Sequence, residues 1–65
     1  MSDLDKLRAL WWALDDERKM IDHYEAVIAD IRSEPLREAL RDHQAKHTIV
    51  REHLIDELKK IGAIS

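Results

Sequence analysis

One proline near the middle of the chain, Pro35, constrains the fold more than any other residue. It follows Ser33, which can cap a helix, and it fits the first helical turn, where a missing N–H is tolerated. The single glycine, Gly62, stands near the other end and suits the residue that follows a helix. Because no other strong helix breaker occurs, we predict one helix over about residues 3–32 and another over about 35–61.

The short turn between these segments requires them to run antiparallel, so the predicted fold is an all-α hairpin forming one domain over residues 1–65. Apolar residues recur on each helix at spacings of three and four. On helix 1 the predicted stripe is Leu4, Leu7, Trp11, Leu14, Ile21 and Ile28, and its continuation includes Arg18 and Glu25. On helix 2 it is Leu36, Leu40, Val50, Leu54 and Ile61, with His43 and His47 in its middle.

The chain has more apolar surface than one hairpin can cover. It has 65 residues and no cysteine, so it is marginally stable alone and cannot use disulfides. Apolar residues outside the stripes include Leu10, Trp12, Met20, Tyr24, Val27, Ile31, Ile49 and Ile55. We therefore expect two hairpins to pair into a four-helix bundle, as a homodimer or a higher homo-oligomer.

Charge and hydropathy argue against other partners. The net charge is −3, and basic residues alternate with acidic ones along the chain, so nucleic-acid binding is not expected. No apolar run approaches the ~20 residues of a membrane-spanning helix, and no membrane partner is expected. The N-terminal sequence lacks the features of a secretory signal, which favours a cytoplasmic location.

Three of the four histidines lie within the segment HQAKHTIVREH. His43 and His47 are one helical turn apart, so both imidazoles project from one face and could bind one metal ion. Alternatively, they form hydrogen bonds with carboxylates such as Glu25, which the hairpin places level with His43. His23 and His53 lie off the stripe and are predicted to be surface residues.

A resemblance to a known family rests on two short motifs. Glu17 precedes Tyr24 by seven residues in ERKMIDHY, and QAKH ends in His47 on the second helix. The pattern resembles half of a ferritin-like di-iron bundle, as in rubrerythrins and encapsulated ferritins, whose two-helix subunits dimerise. The resemblance implies that Glu17 and His47 are metal ligands, that Tyr24 lies near the metal, and that the cofactor is iron.

One position departs from that family. Gln44 stands where the family has a bridging Glu, and a glutamine offers only a neutral carbonyl oxygen. Glu25 or His43 could compensate, giving a mixed site that suits one iron, zinc or manganese ion. The candidate ligands are therefore Glu17, Glu25, His43, Gln44 and His47.

Two functions follow from these observations. The first is a ferritin-like metal-binding homo-oligomer that handles iron by ferroxidation, storage or delivery. The alternative is a self-associating hairpin that acts as an adaptor or structural protein without metal. Whether the chain is an enzyme is left open at this point.

Overall fold

The computed structural model describes residues 2–64 and consists of two helices packed against each other. Helix α1 spans Asp3–Asp30 and helix α2 spans Glu34–Lys60, joined by the short connection 31–33. The hairpin measures 46 × 20 × 14 Å. The predicted all-α hairpin is thus confirmed, with α1 ending slightly before the expected limit; the predicted domain extends beyond the described part by one residue at each end.

A serine directly precedes each helix. The Ser2 hydroxyl accepts a hydrogen bond from the Asp5 backbone N–H at 3.1 Å, which satisfies one free donor of the first turn of α1. At α2 the Ser33 side chain makes no such bond, and Pro35 occupies the first turn. Because proline has no N–H and its φ suits a helix, α2 begins at this position with one donor fewer to satisfy.

A glycine with positive φ ends α2. Gly62 has φ 78°, its N–H donates to the Lys59 carbonyl at 3.0 Å, and the Ala63 N–H donates to the Leu58 carbonyl at 2.9 Å. This pair of bonds is the Schellman motif, which turns the chain away from the helix axis. The chain therefore reverses at the open end of the hairpin, where Ala63 and Ile64 are half-buried.

The seam between the helices is a regular alternation of three- and four-residue steps. Its buried members are Leu14, Ile28 and Leu58. The other members are half-buried: Leu7, Leu10, Glu17, Ile21 and Tyr24 on α1, Ile31 directly after it, and Arg37, Leu40, Gln44, His47, Arg51 and Leu54 on α2. Such a sustained pattern is typical of antiparallel helices packed with small crossing angles.

The predicted α1 stripe was wrong in half of its members. The structure leaves Leu4 54% and Trp11 39% exposed, and it also exposes Arg18 and Glu25. The line that replaces them in the seam contains Leu10, Glu17, Tyr24 and Ile31. This line buries more apolar surface and fewer charges than the alternative, which explains the choice.

The α2 stripe was also partly wrong. Leu40, His47 and Leu54 lie in the seam as predicted. The other predicted members are exposed: Leu36, His43, Val50 and Ile61. Their places are taken by the line of Arg37, Gln44, Arg51 and Leu58, because the rotation of α2 that buries Leu58 completely brings this line against α1.

Candidate metal centre

A carboxylate and an imidazole meet across the seam at the middle of the hairpin. The Glu17 Oε2 and His47 Nδ1 atoms are 2.5 Å apart, and the two side chains are 19% and 29% exposed. Each residue lies near the middle of its own helix. The pair is therefore held by both helices, yet it remains accessible from one side of the hairpin.

Helical spacing explains why these two side chains meet. Glu17 lies in the seam between Leu14 and Ile21, three residues after one and four before the other. His47 occupies the equivalent position on α2. Since neighbouring seam positions lie at the same level on antiparallel helices, the sequence fixes this contact once the register is set.

Tyr24 packs against both histidines of the predicted site. Its ring centroid is 5.6 Å from that of His47, with the rings tilted by 35°. The distance to His43 is 6.4 Å, and those two rings are nearly parallel, at 5°. Contacts of this kind between aromatic rings restrict side-chain rotation. Tyr24 therefore helps to orient His47 beside Glu17.

Gln44 and Glu25 pair with each other. The Gln44 side-chain amide donates to the Glu25 Oε1 atom at 3.0 Å and to the Ile21 carbonyl oxygen at 3.2 Å. These bonds use both N–H donors of the amide. Glu25 was predicted to be level with His43, and the structure instead joins it to the next residue along α2.

The candidate ligands thus fall into two groups. Glu17 contacts His47, and Tyr24 packs against His43 and His47, whereas Glu25 and Gln44 form a separate pair on the other side of the seam. Among residues 2–64, no three His, Asp or Glu side chains come close enough together to hold a metal ion. One hairpin therefore brings together only two candidate ligands, Glu17 and His47, and a metal site would need further donors.

Exposed apolar side chains surround the Glu17–His47 pair. Met20 lies between Glu17 and Tyr24 on the same helical face, and Val50 lies three residues after His47. They are 40% and 44% exposed. Leu36 and Ile61 extend the same side of α2 towards the two ends, at 47% and 43%. We call this side the site face.

Sequence reasoning missed two arginines in the seam. Arg37 and Arg51 lie seven residues on either side of Gln44, and both have a buried Nε atom with no hydrogen-bond partner among the described residues. Their guanidinium groups reach Glu34 at 3.5 Å and Glu52 at 3.1 Å. Arg37, Gln44, Arg51 and Leu58 follow one another at seven-residue spacing, which could have identified them as a seam line. Because three of the four are polar, a search for apolar periodicity does not detect them.

Comparison of the chain with protein-family models, curated proteins and solved structures finds no match. Within residues 2–64, neither helix has the length and apolar character needed to cross a bilayer. The ferritin-like relationship, the bound metal, the location and the partners therefore remain predictions.

Proposed function

We propose that the chain is a metal-binding homo-oligomer of the ferritin-like kind that handles iron, with the metal held between two hairpins. The observation that supports this most directly is the contact between Glu17 and His47 at mid-length on the accessible side of the hairpin. Carboxylate and imidazole are ligands that suit iron, zinc and manganese. Their convergence is the arrangement that a shared site requires.

A second copy would complete the ligand set. When two site faces pack together about a two-fold axis, residues at mid-length come to the same level in both copies. Glu17 and His47 from each copy then supply four donors, and the two His43 side chains lie one helical turn away. The apolar residues Met20 and Val50, exposed in the single hairpin, become buried beside the metal.

The donor set fits a metal with one adjustment. The Glu17 and His47 atoms form a direct hydrogen bond, so a metal ion would have to displace the proton between them and move the two groups apart. When bound, the metal supplies Lewis acidity and, in the case of iron, redox chemistry. Tyr24 keeps His47 oriented, and the surrounding apolar residues limit the access of water.

The adaptor function is favoured by a different observation. Glu17 is satisfied by His47, and Glu25 by Gln44, so all four polar groups have partners without metal. In that case the site face would serve only for self-association. The two functions differ in whether a metal ion stabilises the folded protein.

Thermal unfolding in the presence of metal separates them. Protein stripped with a chelator should melt at a higher temperature after addition of Fe(II) without oxygen, or of Zn(II) or Mn(II), because a ligand of the folded state stabilises it. At about 100 times the dissociation constant the stabilisation is about 2.7 kcal/mol. The effect should weaken in acid, where a protonated imidazole cannot bind metal.

Two histidine variants provide the matched comparison. His47→Ala should abolish the metal-dependent rise in melting temperature, whereas His53→Ala, at an exposed position of the same helix, should retain it. If the wild-type protein melts identically with each metal and with chelator, the metal function is excluded and the adaptor function takes its place.

A further inference from the structure

The Glu17–His47 pair lies at the centre of the hairpin along its length. Helix α1 spans Asp3–Asp30 and α2 spans Glu34–Lys60, so each residue of the pair stands within one position of the middle of its helix. Their side chains are in contact, so the two helix centres lie at one level. When two site faces pack over their whole length, parallel or antiparallel, the two pairs therefore come to the same level and face each other.

The exposed surface of the hairpin favours a second copy as the molecule that covers the site face. The chain exposes 5002 Å² to solvent, whereas a compact monomer of 7.7 kDa exposes about 4,300 Å². The difference, about 700 Å², is close to the area of about 800 Å² that each partner buries in a standard interface. The site face holds four of the eight large apolar side chains that residues 2–64 expose: Met20, Leu36, Val50 and Ile61.

Few donors are available where two site faces would meet. Glu17 converges with His47 there, and His43 lies one helical turn away on the same side. Glu25 and Gln44 bond to each other on the opposite side of the seam, and so they do not reach this point. Two copies therefore provide two carboxylates and two imidazoles at the centre, with two further imidazoles one turn away.

We infer that two copies hold one divalent transition-metal ion between them, so that the protein binds one ion for every two chains. Two carboxylates offset the charge of one such ion, whereas two ions would leave two positive charges uncompensated among apolar side chains. Two carboxylate and two imidazole donors also complete a four-coordinate shell of the kind that zinc adopts. This inference rests on the proposed function, to which it adds the number of ions and the source of their ligands.

A shared ion links metal binding to assembly. A single hairpin brings together only two donors, and residues 2–64 contain no group of three. Because the full set of four exists only where two copies meet, the ion binds the pair more tightly than it binds either copy alone. A ligand that prefers one state shifts the equilibrium towards that state, so metal should strengthen the dimer.

Metal titration of the whole protein tests the stoichiometry. Chelator-stripped protein is titrated with Zn(II), and separately with Fe(II) without oxygen, by isothermal titration calorimetry. Binding should saturate at one ion for every two chains, and native mass spectrometry should show a dimer that carries one ion. In analytical ultracentrifugation, either metal should lower the dissociation constant of the dimer at least about tenfold, within the usual range of coupling between two binding events.

Failure of the shared ion is distinguishable from failure of metal binding. Saturation at one ion or more per chain, or a dimer whose dissociation constant does not change, would overturn the shared ion and leave a metal-binding oligomer intact. If neither metal binds, the proposed function is excluded, and the shared ion with it.

Two charge-matched variants locate the ion. Glu17→Gln removes the carboxylate but keeps an oxygen that accepts a hydrogen bond from His47, so the hairpin is retained. It should weaken the binding of Zn(II) at least about tenfold, the smallest loss typical of a change beside a metal. Glu38→Gln makes the same change at an exposed position of α2 and should alter the affinity less than about twofold. Equal losses in the two variants would contradict the placement of the ion at the centre of the hairpin.

Discussion

At the scale of single residues, Gln44 has the most informative environment. Its amide donates to Ile21 and Glu25, which joins the two helices without any charge being buried. A glutamate at this position would lose both donors and would bring a second carboxylate to a separation of about 3 Å from Glu25, where like charges repel. The glutamine therefore suits a hairpin that is stable before metal is bound.

We predict that Gln44→Glu destabilises the hairpin without changing its response to metal. Without metal, the variant should unfold at a lower temperature, by the equivalent of about 1–3 kcal/mol, because the Ile21 carbonyl loses its donor and Glu25 faces a like charge. With Fe(II), it should gain as much stability as the wild type does, because position 44 lies on the other side of the seam from Glu17 and His47. Thermal unfolding followed by circular dichroism measures both.

A second substitution controls for this effect. Glu25→Gln in the Gln44→Glu protein restores a neutral donor beside a carboxylate, with the roles exchanged between the helices. It should recover most of the stability lost without metal. If the double variant is no more stable than Gln44→Glu alone, the contact between positions 25 and 44 does not have the energetic role assigned to it.

At the scale of the helices, Leu14 and the two tryptophans test the position of the seam. Leu14 is 1% exposed, whereas Trp11 and Trp12 are 39% and 70% exposed. Leu14→Ala should lower the free energy of unfolding by about 2–5 kcal/mol, and Trp12→Ala by no more than about 0.5 kcal/mol. Trp11→Ala is expected to lie between them, measured by urea denaturation. An effect at Trp11 as large as that at Leu14 would place Trp11 in the seam, as the stripe first predicted requires.

The end of α2 makes a separate prediction. Gly62 has a positive φ, and a Cβ added there would meet nothing within 4 Å. Gly62→Ala should therefore destabilise the hairpin by about 1 kcal/mol through backbone strain alone. Gly62→Asn should have a smaller effect, because asparagine tolerates the left-handed conformation better. Equal melting of all three proteins would show that this turn does not contribute to stability.

The sequence predicted where the helices begin and end better than it predicted the rotation of each helix about its own axis. Pro35 and Gly62 mark the start and the end of α2 by backbone chemistry that needs no knowledge of the partner helix. The rotation of α1 about its own axis depends on which of two lines of residues is buried, the predicted stripe or the observed seam. Both lines include Leu7, Leu14, Ile21 and Ile28. Only the opposing helix distinguishes them, through contacts between residues distant in sequence.

The candidate site was likewise predicted in part: one contact was expected, and the partner of another residue was not. Glu17 and His47 were expected to lie close together as ligands of one site, and the structure brings their side chains into contact. Glu25 was predicted to lie beside His43, but it accepts a hydrogen bond from Gln44, one residue further along α2. Side-chain hydrogen bonds fix such details, and spacing along a helix does not encode them.

At the scale of the whole molecule, the single hairpin leaves too much apolar surface in water. Among residues 2–64, three apolar residues are buried, whereas eight large ones are exposed by 39–70%. At about 25 cal/mol per Å² of apolar area, covering the site face would contribute a substantial part of the stability of so small a domain. We therefore expect sedimentation to show a dimer or a larger homo-oligomer at micromolar concentration.

Two neighbouring residues identify the face that self-associates. Val50→Glu places a charge on the site face and should shift the protein towards a monomer with a lower melting temperature. Ile49→Glu adds the same charge at a residue that is 57% exposed on the outer side of α2, and it should leave the assembly unchanged. Analytical ultracentrifugation compares the two. A stable, fully helical monomer of the wild type would contradict the homo-oligomer.

The central position of the Glu17–His47 pair has a consequence for how copies could find each other. A site equally far from both ends of the hairpin makes the same contacts whether the second copy packs parallel or antiparallel to the first. The central pair therefore cannot determine which of the two orientations is adopted. That information must come from the asymmetric ends, where Leu36 stands beside the turn and Ile61 beside the open end. A variant that combines Leu36→Ile with Ile61→Leu would test whether two copies assemble in one orientation or in both.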